Sequence, residues 1–141
     1  MSTKRIKKNK QSYFMKLALM SAAKNVGSTN ENPSVGCVVV KDNCVISSSC
    51  TNIGGRPHAE YIALNNSNNT NNSDLYVTLE PCSHYGKTVP CVNEIIKKKV
   101  RNVYYSIKDP DKRSHNKCKS ILKKKNIRVN SGILSSEVSN F

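Results

Sequence analysis

Three side chains that bind transition metals occur in one stretch of this chain, which runs from Arg56 to Cys91. They are His58, Cys82 and Cys91, and their imidazole and thiolate groups suit Zn²⁺. Three protein ligands leave the fourth tetrahedral position for water, whose pKa zinc lowers to about 7. The sequence therefore predicts one zinc ion per chain, with water as the fourth ligand.

An acid, Glu60, lies two residues beyond the histidine and is left free to carry protons. A metal-activated water and a neighbouring carboxylate can together attack an amino-bearing carbon of a heteroaromatic ring and expel ammonia. The order His-x-Glu followed by Pro-Cys resembles the zinc deaminase signature, although eight residues separate Cys82 from Cys91 where nucleobase deaminases have two. The pattern indicates a hydrolytic deaminase with Glu60 as its catalytic residue.

Two other readings of the same residues stay open at this point. A fourth protein ligand from Cys50, His84 or Cys118 would close the metal against water and make the site structural. Glu60 would then only favour the N-terminus of a helix electrostatically. A zinc-stabilised module that binds nucleic acid without turnover is the corresponding alternative function.

The elements that must position these residues can be predicted from hydrophobic periodicity and from capping signals. Ser12 is a candidate N-cap for a helix that continues to Ala22, and Gly27 is a candidate end signal. The apolar run Val35 to Val40, a turn, and the segment Cys44 to Ser48 predict a β-hairpin.

The rest of the chain alternates between helix and strand. A loop ending at Pro57 delivers His58 to a helix over Ala59 to Leu64, and an Asn-rich surface link follows. The later elements are a strand at Leu75 to Leu79, a helix at Cys91 to Lys98, a strand at Val103 to Ile107, a helix at Lys117 to Lys125, and a strand at Ile127 to Val129. This alternation predicts an α/β fold, with a mixed five-stranded sheet covered by helices on both faces.

Length and charge limit the functional classes. The 141 residues predict a single domain, and the 23 Lys and Arg against 9 Asp and Glu give a net charge of +14. A nucleic-acid partner is not favoured, because aromatic residues are not interleaved with the basic ones as base stacking requires. A small anionic, phosphorylated substrate would gain a faster encounter from the same field.

The cysteine content and the chain start indicate the compartment. Six cysteines, with neither a signal peptide nor a long apolar run, favour metal ligation in a reducing, cytoplasmic setting, and no membrane partner is expected. The basic segment 1–11 reads as a flexible, solvated tail, and residues 12–141 read as the deaminase domain.

Longer motifs connect these residues to a known family. The matching segments are Asn32 to Val40, Gly54 to Glu60, Thr78 to Thr88, Pro90 with Cys91, and Asp109 with Pro110. They resemble the deaminase domain of the bifunctional riboflavin-biosynthesis protein, the diaminohydroxyphosphoribosylaminopyrimidine deaminase, and the likeness runs from about Tyr13 to Phe141. The long lobe between the two cysteines separates this family from cytidine and tRNA adenosine deaminases.

The resemblance implies a three-layer, cytidine-deaminase-like α/β/α fold. It also implies deamination of 2,5-diamino-6-ribosylamino-4(3H)-pyrimidinone 5′-phosphate to 5-amino-6-ribosylaminouracil 5′-phosphate and ammonia, and self-association of the chain. The substrate-binding residues that it implies are Asn32 near the ribose, His84, Lys87 and Thr88 near the pyrimidine and the phosphate, and Asp109 at the carboxyl edge of the sheet. A deaminase of another base or nucleotide is the alternative among enzymes.

Two features depart from that family. The chain stops about where the family's reductase domain would begin, so we expect the following reduction to require a separate reductase polypeptide. The segment from Asp111 to Cys118 lacks the glycines that the family has there, and Asp111 replaces an asparagine. An extra anion near the expected phosphate is unfavourable unless a nearby cation offsets it.

Overall fold

The computed structural model describes residues 2–141, in which five helices pack on the two faces of one five-stranded sheet. The elements in chain order are α1 (Thr3–Ala22), a short 3-10 helix (Ala23–Asn25), β1 (Gly36–Lys41), β2 (Cys44–Cys50), α2 (Ala59–Asn65), β3 (Asp74–Leu79), α3 (Cys91–Lys97), β4 (Asn102–Ile107), α4 (Cys118–Lys123), β5 (Arg128–Asn130) and α5 (Ser135–Ser139). The predicted alternation of helices and strands is confirmed.

The sheet has the strand order β2-β1-β3-β4-β5. β1 pairs antiparallel with β2 and with β3, whereas β3, β4 and β5 are parallel, so the predicted mixed sheet is confirmed. The predicted hairpin turns at Asp42 and Asn43, whose φ angles of 51° and 63° suit a tight turn between twisted strands.

Side chains alternate across β1 and divide the core into two layers. Cys37 and Val39 lie in the cluster that packs against α2, α3 and α4, while Val38 and Val40 lie in the cluster that packs against α1. A side chain at Gly36 would overlap the carbonyl oxygen of Ala18, so glycine permits the close approach of α1 to the sheet. Both faces are therefore covered, as the parallel strand pairs require.

The start of α1 differs from the sequence-based expectation. The helix begins at Thr3, where Ser2 is the N-cap and accepts a hydrogen bond from the amide of Arg5 at 3.3 Å. The predicted cap at Ser12 is therefore wrong. Residues 3–11 of the segment expected as a tail are helical, and Met1 lies outside the described residues. Lysine has a high helix propensity, which explains how α1 extends through a stretch with no apolar face.

The parallel pairing of β3 and β4 brings their carboxyl ends to one edge of the sheet. Leu79 pairs with Ile107, and the amide of Glu80 extends the ladder by donating to the carbonyl of Ile107 at 2.8 Å. The segments that follow, leading to Cys82 and to Asp109, therefore leave the sheet side by side. No helix in the described range combines the length and the apolar character needed to cross a lipid bilayer.

Candidate functional site

Three secondary-structure ends bring the predicted metal ligands together. His58 is the N-cap residue of α2, Cys82 lies three residues after β3, and Cys91 is the first residue of α3. Their ligand atoms all lie within 4.8 Å of one another. Among the described residues no further His, Cys, Asp or Glu joins this set, so Cys50, His84 and Cys118 do not supply the fourth ligand of a closed structural site.

The distances within this cluster fit a zinc ion. The Nδ1 atom of His58 lies 3.5 Å from Cys91 Sγ and 3.7 Å from Cys82 Sγ. Zinc bonds of about 2.05 Å to nitrogen and about 2.3 Å to sulfur, at a tetrahedral angle, would place these atoms about 3.6 Å apart. The donor set and its spacing therefore match one tetrahedral metal, with Nδ1 as the histidine donor.

Hydrogen bonds favour thiolate at Cys82. The side chain of Cys91, followed by that of His58, lowers the pKa of Cys82 well below its usual value, while the bond shared with Cys82 raises the pKa of Cys91. The backbone amide of Cys91 also donates to Cys82 Sγ at 3.2 Å. An anionic sulfur held by an amide is ready to ligate a cation.

Glu60 lies in the first turn of α2 and is only 4% exposed. Burial, followed by the nearby Cys82, raises the pKa of its carboxyl group. A carboxyl group with a raised pKa can hold a proton closer to neutral pH. The chemistry predicted for Glu60 therefore has a physical basis in its environment.

A cleft of about 270 Å³ opens over this cluster at the carboxyl edge of the sheet. Its lining includes Asn32, His58, Glu60, Cys82, His84 and Asp109. Three of the five predicted substrate-binding residues thus share the cleft with Glu60. Of the other two, Lys87 lines an adjoining cleft, and Thr88 lines a third cavity beside Cys91 and accepts a hydrogen bond from Arg56 Nη1 at 2.8 Å.

Asn32 is held in place by a glycine loop. Its side-chain amide donates to the carbonyl of Gly55 at 2.9 Å. Gly55 has a φ of +92°, and a Cβ there would lie 2.6 Å from the carbonyl oxygen of Thr29 and 2.9 Å from Asn32 Nδ2. Only glycine fits this position without displacing Asn32.

The segment after β4 is fixed by a residue that the sequence analysis did not single out. Glu80 is 2% exposed, and its Oε1 accepts the amides of Asp109 and Asn116, each at 3.1 Å, while Oε2 accepts the amide of Cys118 at 3.2 Å. Two buried amides and one part-buried amide therefore depend on one side chain. The sequence signal that could have revealed Glu80 is its position between a buried strand and a proline, because a buried carboxylate requires hydrogen-bond partners.

A second set of contacts ties the same segment to the lobe between the two cysteines. Ser114 is fully buried, and its hydroxyl accepts the amide of Ser83 at 3.0 Å and lies 2.6 Å from His84 Nδ1. His84 Nε2 lies 3.8 Å from Asp111 Oδ2. His84 is therefore oriented by the segment that carries Asp109.

The anion at Asp111 is offset by its own neighbour. Arg113 donates from Nε to Oδ1 at 3.0 Å and from Nη2 to Oδ2 at 2.6 Å. These hydrogen bonds hold the pKa of the Asp111 carboxyl below its usual range. Asp111 therefore does not stand as an unpaired anion beside the cleft.

With this geometry established, comparison with known proteins identifies the family. A family model described as the zinc-binding region of cytidine and deoxycytidylate deaminases matches residues 8–107. The chain belongs to this family of zinc-binding deaminases. The predicted relationship to the riboflavin-biosynthesis deaminases is also confirmed by relatives of similar sequence.

One such relative is the diaminohydroxyphosphoribosylamino-pyrimidine deaminase of Buchnera aphidicola, 36% identical over 91% of this chain and 88% of that protein. Another is the riboflavin biosynthesis protein RibD of Chlamydia pneumoniae, 40% identical over 90% of this chain and 34% of that protein. A solved structure of Acinetobacter baumannii RibD superposes with a TM-score of 0.90 and 36% identity, covering 94% of this chain and 38% of that chain. This chain thus spans about a third of the length of the first curated relatives that it matches. The superposition confirms the expected cytidine-deaminase-like fold.

Proposed function

We propose that this chain is a zinc-dependent hydrolase that deaminates 2,5-diamino-6-ribosylamino-4(3H)-pyrimidinone 5′-phosphate to 5-amino-6-ribosylaminouracil 5′-phosphate and ammonia. The observation that carries the proposal is the buried carboxyl group of Glu60 beside the His58, Cys82 and Cys91 cluster, in one cleft. The choice of substrate is supported by the name of the Buchnera relative, which aligns over most of both chains.

His58, Cys82 and Cys91 would hold one zinc ion per chain, and three protein ligands would leave the fourth position for water. When bound, zinc supplies Lewis acidity, which lowers the pKa of that water toward neutrality. The two thiolates must stay reduced, so a cytoplasmic location remains part of the proposal.

Glu60 carries the proton transfers. Its carboxylate takes a proton from the attacking water and passes it to the neighbouring ring nitrogen. It then moves the remaining hydroxyl proton to the exocyclic nitrogen, whose bond to the ring carbon breaks, so that ammonia leaves and the ring carbon becomes a carbonyl. Burial raises the pKa of Glu60, which suits a group that must hold the proton between these two steps. A positioned group of this kind contributes about 10²–10⁴-fold to a rate.

The neighbouring side chains orient the nucleotide. Asn32, His84 and Asp109 line the cleft beside Glu60 and offer hydrogen-bonding groups to the base and the ribose. Lys87 and Thr88 lie on the lobe between the two cysteines, at the rim. Reduction of the product is left to a reductase outside residues 1–141.

The proposal is tested by measuring ammonia release from zinc-loaded protein with the pathway pyrimidine nucleotide, cytidine, dCMP and guanine. We expect the pathway nucleotide to react with the highest kcat/KM. Turnover of one of the other three compounds alone would overturn the pathway assignment and leave a deaminase of another base. No turnover, together with tight nucleic-acid binding that weakens steeply with salt, would replace the enzyme with a binding module.

A further inference from the structure

A second cleft, of about 770 Å³, adjoins the first and has a cationic lining. Arg56, Lys87 and Arg113 contribute positive charges to its walls, and Glu31 is the acidic residue among the lining side chains. Arg56, Arg113 and Glu31 also line the smaller cleft above the metal cluster, so the two clefts are adjacent and share these walls. An anionic group attached to a molecule bound in the first cleft can therefore reach the second.

The backbone of the segment after Asp111 has little capacity to bind an anion. Six successive amides, from Arg113 to Cys118, already donate within the chain. Their acceptors are Asp111 Oδ1 for Arg113, the carbonyl of Asp111 for Ser114 and His115, Glu80 for Asn116 and Cys118, and the carbonyl of Ser114 for Lys117. Amides that are engaged internally cannot form a nest for phosphate. Anion recognition at this edge must therefore come from side chains.

Arg113 is the side chain in this segment that is prepared for such a contact. Asp111 binds the Nε and Nη2 edge of its guanidinium group, at 3.0 Å and 2.6 Å. The two N–H groups on Nη1 and the second one on Nη2 remain for another acceptor, because a guanidinium group has five N–H donors. Its side chain is 65% exposed, in a position that lines both clefts. The carboxylate thus fixes the orientation of Arg113 and leaves a donor edge that suits a phosphate.

We propose that Arg113, held by Asp111, binds the 5′-phosphate of the substrate together with Lys87 and Arg56. This inference rests on the proposed function. Arg56 is itself anchored, since its Nη1 donates to Thr88 Oγ1 at 2.8 Å, which ties it to the lobe that carries Lys87. A phosphate monoester carries a charge of about −1.5 to −2 at neutral pH, so it would draw on the charges of Arg56 and Lys87 as well as on the free donor edge of Arg113.

Kinetics of the zinc-loaded chain with the pathway nucleotide and with its dephosphorylated nucleoside test this assignment. Arg113→Gln should lower kcat/KM for the nucleotide about 10- to 100-fold, the range for one hydrogen bond to a charged group. The nucleoside should react equally with both proteins. The matched control is Lys112→Gln, which removes the same charge from an exposed neighbour that lines neither cleft. It should leave kcat/KM unchanged for the nucleotide and for the nucleoside. An equal loss on both substrates, or no loss on either, would overturn the inference.

A binding measurement separates this inference from the proposed reaction. The side-chain N–H signals of Arg113 should shift in NMR spectra when ribose 5-phosphate is added, and they should not shift with ribose. If the nucleotide reacts but neither this titration nor Arg113→Gln shows a phosphate effect, the anion site is wrong and the deaminase stands. If no substrate reacts but ribose 5-phosphate still shifts the Arg113 signals, the anion site stands and the proposed deamination is wrong. If no substrate reacts and no shift is seen, the anion site and the proposed deamination are both wrong.

Discussion

Replacing Glu80 tests the contact that holds the cleft wall in place. Glu80 accepts the buried amides of Asp109 and Cys118 at 3.1 and 3.2 Å, and the part-buried amide of Asn116 at 3.1 Å. Glu80→Gln keeps the shape, and its amide oxygen can retain the two bonds now made by Oε1. Its NH₂ group must then face the Cys118 amide, so one buried donor loses its acceptor. We expect the unfolding free energy to fall by about 1–3 kcal/mol.

The glutamine variant is more informative than alanine. Glu80→Ala would leave all three amides without a partner, and the two buried ones alone would cost about 2–6 kcal/mol if no water replaces the side chain. That loss is comparable with the whole stability of a small domain, about 5–15 kcal/mol, so the alanine variant is expected to unfold. Glu80→Gln should remain folded and show a lower kcat/KM, because the segment that carries Asp109 along the cleft wall loses one of its three anchoring bonds, the one at Cys118.

The assay combines urea unfolding with hydrogen exchange at the three amides. Exchange should quicken most at residue 118, whose amide loses its acceptor, while the amide of Val39 in the central sheet keeps its protection. Glu137→Gln, on the exposed face of α5, is the matched control and should change nothing. An unfolding free energy within about 0.5 kcal/mol of the parent, with parental exchange at the three amides, would refute the reasoning.

Two further substitutions test other parts of the site. Gly55→Ala should cost about 1–3 kcal/mol of stability, because alanine is strained at a φ of +92°, and should raise KM for the nucleotide, because the new Cβ would displace Asn32. Gly54→Ala controls for the backbone strain, since a Cβ at Gly54 meets nothing within 4 Å. Asp111→Asn should make the unfolding free energy depend less on pH in the acid range. Arg113 lowers the Asp111 pKa, so the pair stabilises the fold above about pH 4, and this contribution is lost as the pH falls through the lower folded-state pKa. Urea midpoints between about pH 2 and about pH 5 should therefore fall more steeply for the parent, and parallel curves would contradict the pairing.

Several features could be predicted from the sequence because their signals are local. The residue types and spacing of His58, Cys82 and Cys91 indicated a metal cluster, and the polar turn between two apolar runs indicated the hairpin. Helix α2 was found because a loop ending in proline leads directly into it. The hairpin and α2 depend on neighbouring residues alone, whereas the three candidate ligands are up to 33 positions apart and are brought together only by the fold.

Other features depend on contacts between distant residues, so the sequence did not reveal them. Glu80 is important because of amides 29 to 38 positions further along the chain. The orientation of Arg113 toward both clefts follows from the fold of the segment after β4. Helix α1 begins at Ser2 and Thr3 in a lysine-rich stretch without apolar periodicity, so the pattern pointed to Ser12 instead. Helix α5 follows Leu134, at a positive φ of 54°, and no capping residue announces it.

The central claim is that Glu60 moves protons beside a zinc ion held by His58, Cys82 and Cys91. The most direct measurement is the rate of ammonia release per bound zinc, with the metal determined by elemental analysis, for the parent and for Glu60→Gln. We predict one zinc per chain in both proteins and a rate at least about 10²-fold lower in the variant. A variant that deaminates the nucleotide at the parental rate, or a parent that reacts without bound metal, would contradict the account.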